Sequence, residues 1–242
     1  MLEQCWNGDR CVAKPVPITG GYSIDATEVT RSQYQKWLDA NPMISGQASA
    51  CNWNKTFAPD ATCMTKKQVC QGGGCGRHPQ VCVDWCDAVA YCAASGKRLC
   101  GKIGGGPNGF SNQSNAALSQ LYNACSSGGK NAFPCGDTLG PPICNGAENP
   151  DTGCMSGSCT TVEVGTLAGC QSSVVGYEGV FDLSGNVEEW EDSCGLLSGT
   201  YYCRIHGGAY NTSMDLRCDQ STSFERTSAG AQNNIGFRCC SL

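Results

Sequence analysis

The chain has 242 residues, among them 21 cysteines and 32 glycines, with only 15% charged residues and a formal net charge of −5. No Lys/Arg cluster is longer than Lys66-Lys67, so the basic stripe that nucleic-acid phosphates require is missing, and no run of about 18 apolar residues is present to span a membrane. Cysteine at about 9% marks a disulfide scaffold, and disulfides persist in oxidising compartments, so an extracellular or periplasmic location is expected.

The segment after Met1, Leu-Glu-Gln-Cys, has neither a basic n-region nor an apolar h-region, as expected of a mature, processed chain. "GGYSIDATEV" (20–29) reads as a strand. The first helix follows in "TEVTRSQYQKWLDANP". Thr30 and Gln33 have the spacing of a capping box, Tyr34, Trp37 and Leu38 share a face, and Asn41-Pro42 ends it. A cysteine-rich insert occupies 47–77. The second helix lies in "DWCDAVAYCAASG", with Asp84 as N-cap, Trp85, Ala88, Val89, Cys92 and Ala93 on one face, and Gly96 past the end. "SNAALSQLYNACSSGG" predicts a third, with Leu118, Leu121, Tyr122 and Cys125 in one stripe. A second insert covers 135–170. Short strands are expected in "EGVFDLSG", "YYCRIHGGAY" and "NNIGFRCC". No repeat or linker divides the chain, so one α+β, loop-rich domain over 1–242 is expected.

Several motifs fail on context. "GGGPNG" (104–109) matches G-x-G-x-x-G but lacks a following helix signal and an acidic partner about 20 residues on. There is no G-x-S-x-G elbow, and no C-x-x-C pair stands anywhere in the chain. Only His78 and His206 could serve as imidazole ligands, so zinc ribbons and iron–sulfur clusters are disfavoured. Asn54, Asn112 and Asn211 begin sequons. The odd cysteine count leaves at least one thiol free or paired with another chain.

In "FDLSGNVEEWEDSC" (181–194), five carboxylates surround a Gly-Asn turn. Together with "SIDATEVTRSQYQKWL", "HPQVCVDWCDAVAYCAASGKRLC", "RIHGGAY", "LRC" and "NIGFRC", in this order from about 17 to 240, it resembles the formylglycine-generating enzyme (sulfatase-modifying factor) family, a variant of the C-type lectin fold. The resemblance implies two disulfides, Cys92 with Cys239 and Cys125 with Cys218. It also implies a calcium site built from Asp182, Gly185, Val187 and Glu189. Carboxylates, backbone carbonyls and a flexible turn are what calcium requires. Glu188, Glu191 and Asp192 are then expected to be plain surface. A second calcium site would begin at Asn145 and Gly146, in "CNGAENPDTG".

The family's oxidases bind copper through two thiolates between the "GG-S/A-Y" turn and the following Arg-Cys. Here that interval reads "GGAYNTSMDLRC", with no cysteine between Tyr210 and Cys218. Soft Cu(I) needs thiolates. Other relatives use non-heme iron held by three histidines from an added helical bundle, and only His78 and His206 are present here. Variable proteins of diversity-generating retroelements instead use the scaffold to display changeable side chains near the C-terminus. The reading is therefore a secreted or surface, calcium-stabilised, non-catalytic domain binding a protein, glycan or small molecule. Asn211, Thr212, Ser213, Met214, Asp215, Thr222, Phe224 and Arg226 are the candidate face. The alternative is a copper- or iron-dependent oxidoreductase.

Overall fold

The helices begin where side chains satisfy the first orphan amides. In the computed structural model, which describes residues 2–6, 10–138, 143–152, 159–213 and 216–242, Thr30 and Gln33 bond each other's backbone at the start of α1 (Arg31–Asp39). Asp84 and Asp87 do the same for α3 (Trp85–Ala94), while a single turn, α2 (Ala61–Met64), is capped by Asp60. The last helix, α4 (Gln120–Cys125), is capped by Ser119. It starts later than its apolar stripe suggests. Ser119 is pulled into a β-bridge with Lys102, and Ile103 N donates to Leu118 O, so tertiary pairing overrides helix propensity over the preceding turn.

The strands build a small hairpin and two four-stranded sheets. The hairpin joins β1 (Glu3–Trp6) to β2 (Arg10–Ala13), with Cys5 bonded to Cys11. The first sheet runs β3 (Pro15–Ile18), β4 (Tyr22–Asp25), β10 (Cys239–Ser241), β5 (Arg98–Leu99). The second runs β8 (Ser221–Glu225), β7 (Thr200–His206), β6 (Glu188–Leu197), β9 (Ile235–Gly236), and β9 lies parallel to β6. The C-terminal residues thus stitch both sheets. The expected strand at 178–185 does not form: Phe181 makes one isolated bridge to Gln171, and the chain turns left-handed at Asp182, φ 59°.

α1 and α3 pack on the second sheet around Tyr34, Trp37, Tyr91 and Phe237, whose ring centroids lie 5.1–6.2 Å apart. Trp190 is fully buried beside them and donates to Val83 O at 3.2 Å. α4 packs with β4 and β10 around Ile24, Leu121 and Val180. Nine disulfides have both ends described. Cys92–Cys239 and Cys100–Cys240 tie α3 and β5 to the C-terminal strand, and Cys125–Cys218 ties α4 to the stretch before β8. The first insert is stapled by Cys51–Cys86, Cys63–Cys82 and Cys70–Cys75, the second by Cys144–Cys170. Among the described residues Cys135 is the free thiol, half-buried beside Phe133 and Ile143. Asn54 is buried and donates to Asp87 at 2.8 Å, which removes it as a glycosylation acceptor in the folded chain.

The α3 cap carries a pH dependence. Burial pushes Asp84 up to about 6, and burial with the neighbouring Asp84 charge pushes Asp87 up to about 8. The unfolded value is about 3.9, so the Asp87 contribution is complete below that and is lost as pH rises through about 8. Asp87→Asn, which keeps an acceptor oxygen for Asp84 N, should flatten the fall in Tm between about pH 4 and 8. A parental slope in that variant would place the dependence elsewhere.

A candidate cation site and its flanking face

The turn preceding β6 is shaped by three left-handed residues, Asp182, Gly185 and Asn186. Gly185 is required twice over: its φ is +79°, and a Cβ there would lie 2.5 Å from Asn145 O. Asn186 N donates to that same carbonyl at 2.8 Å. The two stretches that the sequence separates into two calcium sites therefore meet. Asn145 Nδ2 donates to Asn186 Oδ1 at 3.1 Å and to Thr160 O, and Asn186 Nδ2 donates to Glu28 Oε1 at 2.8 Å. Gly146 packs against Leu216 instead, and its N–H is spent on Cys144 O.

Glu28 is the member of this cluster that sequence reading missed. It is 0% exposed, just after β4, and no periodicity marks it as inward-facing. Arg238, also 0% exposed, is the second. Its Nε and Nη2 donate to both oxygens of Glu189 at 2.6–2.9 Å, while Nη1 and Nη2 reach Asp25 O and Phe181 O. Nη2 stands 4.0 Å from Glu28. Asp182 accepts from Gly165 N at 2.6 Å through one oxygen only. Asp182 Oδ1, Glu28 Oε2 and Asn145 Oδ1 are buried without a donor. Burial pushes Asp182 up to about 6, and burial reinforced by the Asp182 charge holds Glu28 well above the usual carboxylate range.

These observations test the implied calcium ligands. Asp182 fits, with a buried oxygen to offer. Glu189 is paired with Arg238, which donates to both of its oxygens. For Gly185 and Val187 the cluster supplies the turn that would bring their carbonyls round. Among the described residues, no three His, Cys, Asp or Glu side chains converge in a metal-holding arrangement.

The remaining acidic residues are not plain surface. Glu191 is 0% exposed; its Oε1 accepts from Asn108 and Ser119 at 3.0 and 2.8 Å, and Oε2 pairs with His206 Nε2 at 3.0 Å. The cause is the bulge in β6 between Trp190 and Cys194. It turns Asp192 to the loop after β5, where its N–H donates to Cys100 O and its carbonyl accepts from Asn108 N, and burial raises its carboxyl to about 6. Glu188, half-buried, accepts from Thr222 Oγ1 at 3.4 Å and Asn234 Nδ2 at 3.3 Å, and burial raises it to about 7.

The face proposed for ligands is only partly assembled. Asn234 also reaches Asn211 Oδ1 at 3.5 Å, so Asn211, Thr222, Asn234 and Glu188 form one polar patch. Thr212 is spent capping Ala209 N, and Ser213 is exposed. Phe224 packs on the core opposite Cys203, and Arg226 stacks over Tyr201 at 4.1 Å, farther along β8. Met214 and Asp215 lie outside the described residues. The histidines have separate partners: His206 faces Glu191, and His78 faces Thr161 Oγ1 at 2.9 Å.

Two sheets sharing a C-terminal strand segment, long disulfide staples and a buried carboxylate–arginine cluster define an α+β domain of the formylglycine-generating-enzyme-like, C-type-lectin-like kind. Three solved structures share it. PvdO from Pseudomonas aeruginosa has a TM-score of 0.58 at 17% identity, over 96% of this chain and 95% of that one. CarF has 0.55 at 21%, over 91% and 85%. Treponema denticola variable protein 1 has 0.54 at 18%, over 100% and 91%. At such identities the likeness speaks to the fold. Among curated protein sequences none matches. The sulfatase-modifying factor enzyme 1-like domain model matches residues 7–241, and the chain belongs to that family.

Proposed function

We propose that this is a secreted or surface, calcium-stabilised domain that binds a ligand and catalyses no oxidation. One observation carries the reading. The interval between the Gly207-Gly208 turn and Cys218 contains no cysteine, and Cys218 is bonded to Cys125. A copper centre of the family's type needs two free thiolates there, and the free thiol among the described residues, Cys135, sits in the second insert. No helix of the described chain is long and apolar enough to cross a membrane, and the disulfide density suits an oxidising compartment.

A frame with this many cross-links has little entropy left to lose when a ligand docks. The patch of Glu188, Asn211, Thr222 and Asn234 offers a carboxylate, two amides and a hydroxyl, donors and acceptors suited to a polar ligand. Calcium would be held from Asp182 and the adjoining turn, adding positive charge to an acid-rich interior. It would hold the Gly207-Gly208 turn as well, since Gly185 N donates to Gly207 O at 2.8 Å.

Two measurements test the reading. Millimolar calcium over a site of about 10 μM affinity stabilises by about 2.7 kcal/mol, a Tm rise of roughly 5–10 °C that EDTA should abolish. Asp182→Ala should lose the response. A parental Tm indifferent to EDTA removes calcium from the proposal. Protein loaded with Cu(I) should consume no oxygen with a thiol-bearing peptide, and stoichiometric turnover would establish the oxidoreductase instead.

A further inference from the structure

We propose that the cation in this domain is held by Glu28 and Asp182, and that Glu189 serves as the counter-ion of Arg238. The inference rests on the calcium reading above and reassigns its ligands.

One hydrogen-bond relay links Asn145, Asn186 and Glu28. Val162 N donates to Asn186 Oδ1 at 2.9 Å, which fixes the orientation of that amide. The Asn186 nitrogen must then face Glu28 Oε1, at 2.8 Å, leaving Glu28 Oε2 without a donor. Asn186 Oδ1 also accepts from Asn145 Nδ2, whose second acceptor is Thr160 O, so Asn145 Oδ1 is left over as well and cannot be satisfied by turning the amide. On the other side, Gly165 N takes Asp182 Oδ2 and leaves Asp182 Oδ1 bare. Three acceptors are thus left without a donor in a dry interior: Glu28, Asn145 and Asp182 are 0%, 1% and 2% exposed.

Charge points the same way. Glu28, Asp182 and Glu189 surround one guanidinium, and each of the three acts electrostatically on Arg238. With all three ionised, two negative charges are uncompensated. A divalent cation cancels that excess, and hard carboxylate oxygens are the donors calcium prefers. An orphan buried acceptor left as it stands carries its whole desolvation cost, and a charged one carries more. Glu189 is already paired: Nε and Nη2 of Arg238 bond both of its oxygens. Asp182 and Glu28 lie within hydrogen-bond reach of each other, so one cation can meet both carboxylates.

The full, oxidised chain, dialysed against EDTA and then chelator-free buffer at neutral pH, is titrated with calcium chloride by calorimetry beside Glu28→Gln and Glu189→Gln. Near-ultraviolet circular dichroism confirms the fold of each. The expected result is one calcium per parental chain, an affinity at least about tenfold weaker in Glu28→Gln, and parental affinity in Glu189→Gln. Parental affinity in Glu28→Gln overturns this assignment while leaving the calcium reading intact. No binding by the parent overturns both. If Glu189→Gln does not fold, Glu28→Gln decides alone.

Discussion

Replacing Cys92 and Cys239 by alanine should destabilise the protein by only about 3 kcal/mol, although the bond closes a sequence separation of 147. The reason is Cys100–Cys240, which closes nearly the same loop at a separation of 140. With that bond intact, the extra loop closed by Cys92–Cys239 is only about ten residues, and its entropy is correspondingly small. Removing both bonds also releases the longer loop, which Cys125–Cys218 still shortens to about 50 residues, at a total cost of about 7 kcal/mol, more than the two single effects together. Denaturant midpoints of the parent, the two single-bond variants and the double variant, all without reductant, measure it. Additive losses would mean that the unfolded chain is constrained by something other than these two bonds.

Arg238→Met should cost about 3–5 kcal/mol, because it strands Glu189 in a site 2% exposed. Adding Glu189→Leu should recover part of the loss, since a buried pair removed whole is less harmful than a pair broken. The fully oxidised variants, followed by thermal unfolding at neutral pH with EDTA present, provide the comparison. A double variant less stable than Arg238→Met would show that Glu189 has partners beyond the guanidinium.

Much of the architecture was legible because local rules and tertiary demands agree. The capping box at Thr30 and Gln33 and the N-cap at Asp84 are short-range hydrogen-bonding patterns, and both helices start where those patterns lie. The third helix shows the limit. Its apolar stripe runs back to Leu118, but the bridge of Ser119 to Lys102 takes the first turn away. At 178–185 a short strand was expected, and the turn that forms there instead is held by Phe181 N on Ala26 O and Arg238 on Phe181 O.

The acidic stretch 181–194 divides the two kinds of information most sharply. Glycine at 185 and the order of motifs are properties of the chain itself, and they determined the turn and the family. Which carboxylates turn inward depended on partners far along the chain: Asn108 and Ser119 for Glu191, across 83 and 72 residues, and Arg238 for Glu189, across 49. Arg238 reaches Asp25 O across 213. A carboxylate's hydration, pairing and charge are set by what surrounds it in space, and a run of acidic letters reads the same whether water or a buried guanidinium awaits it.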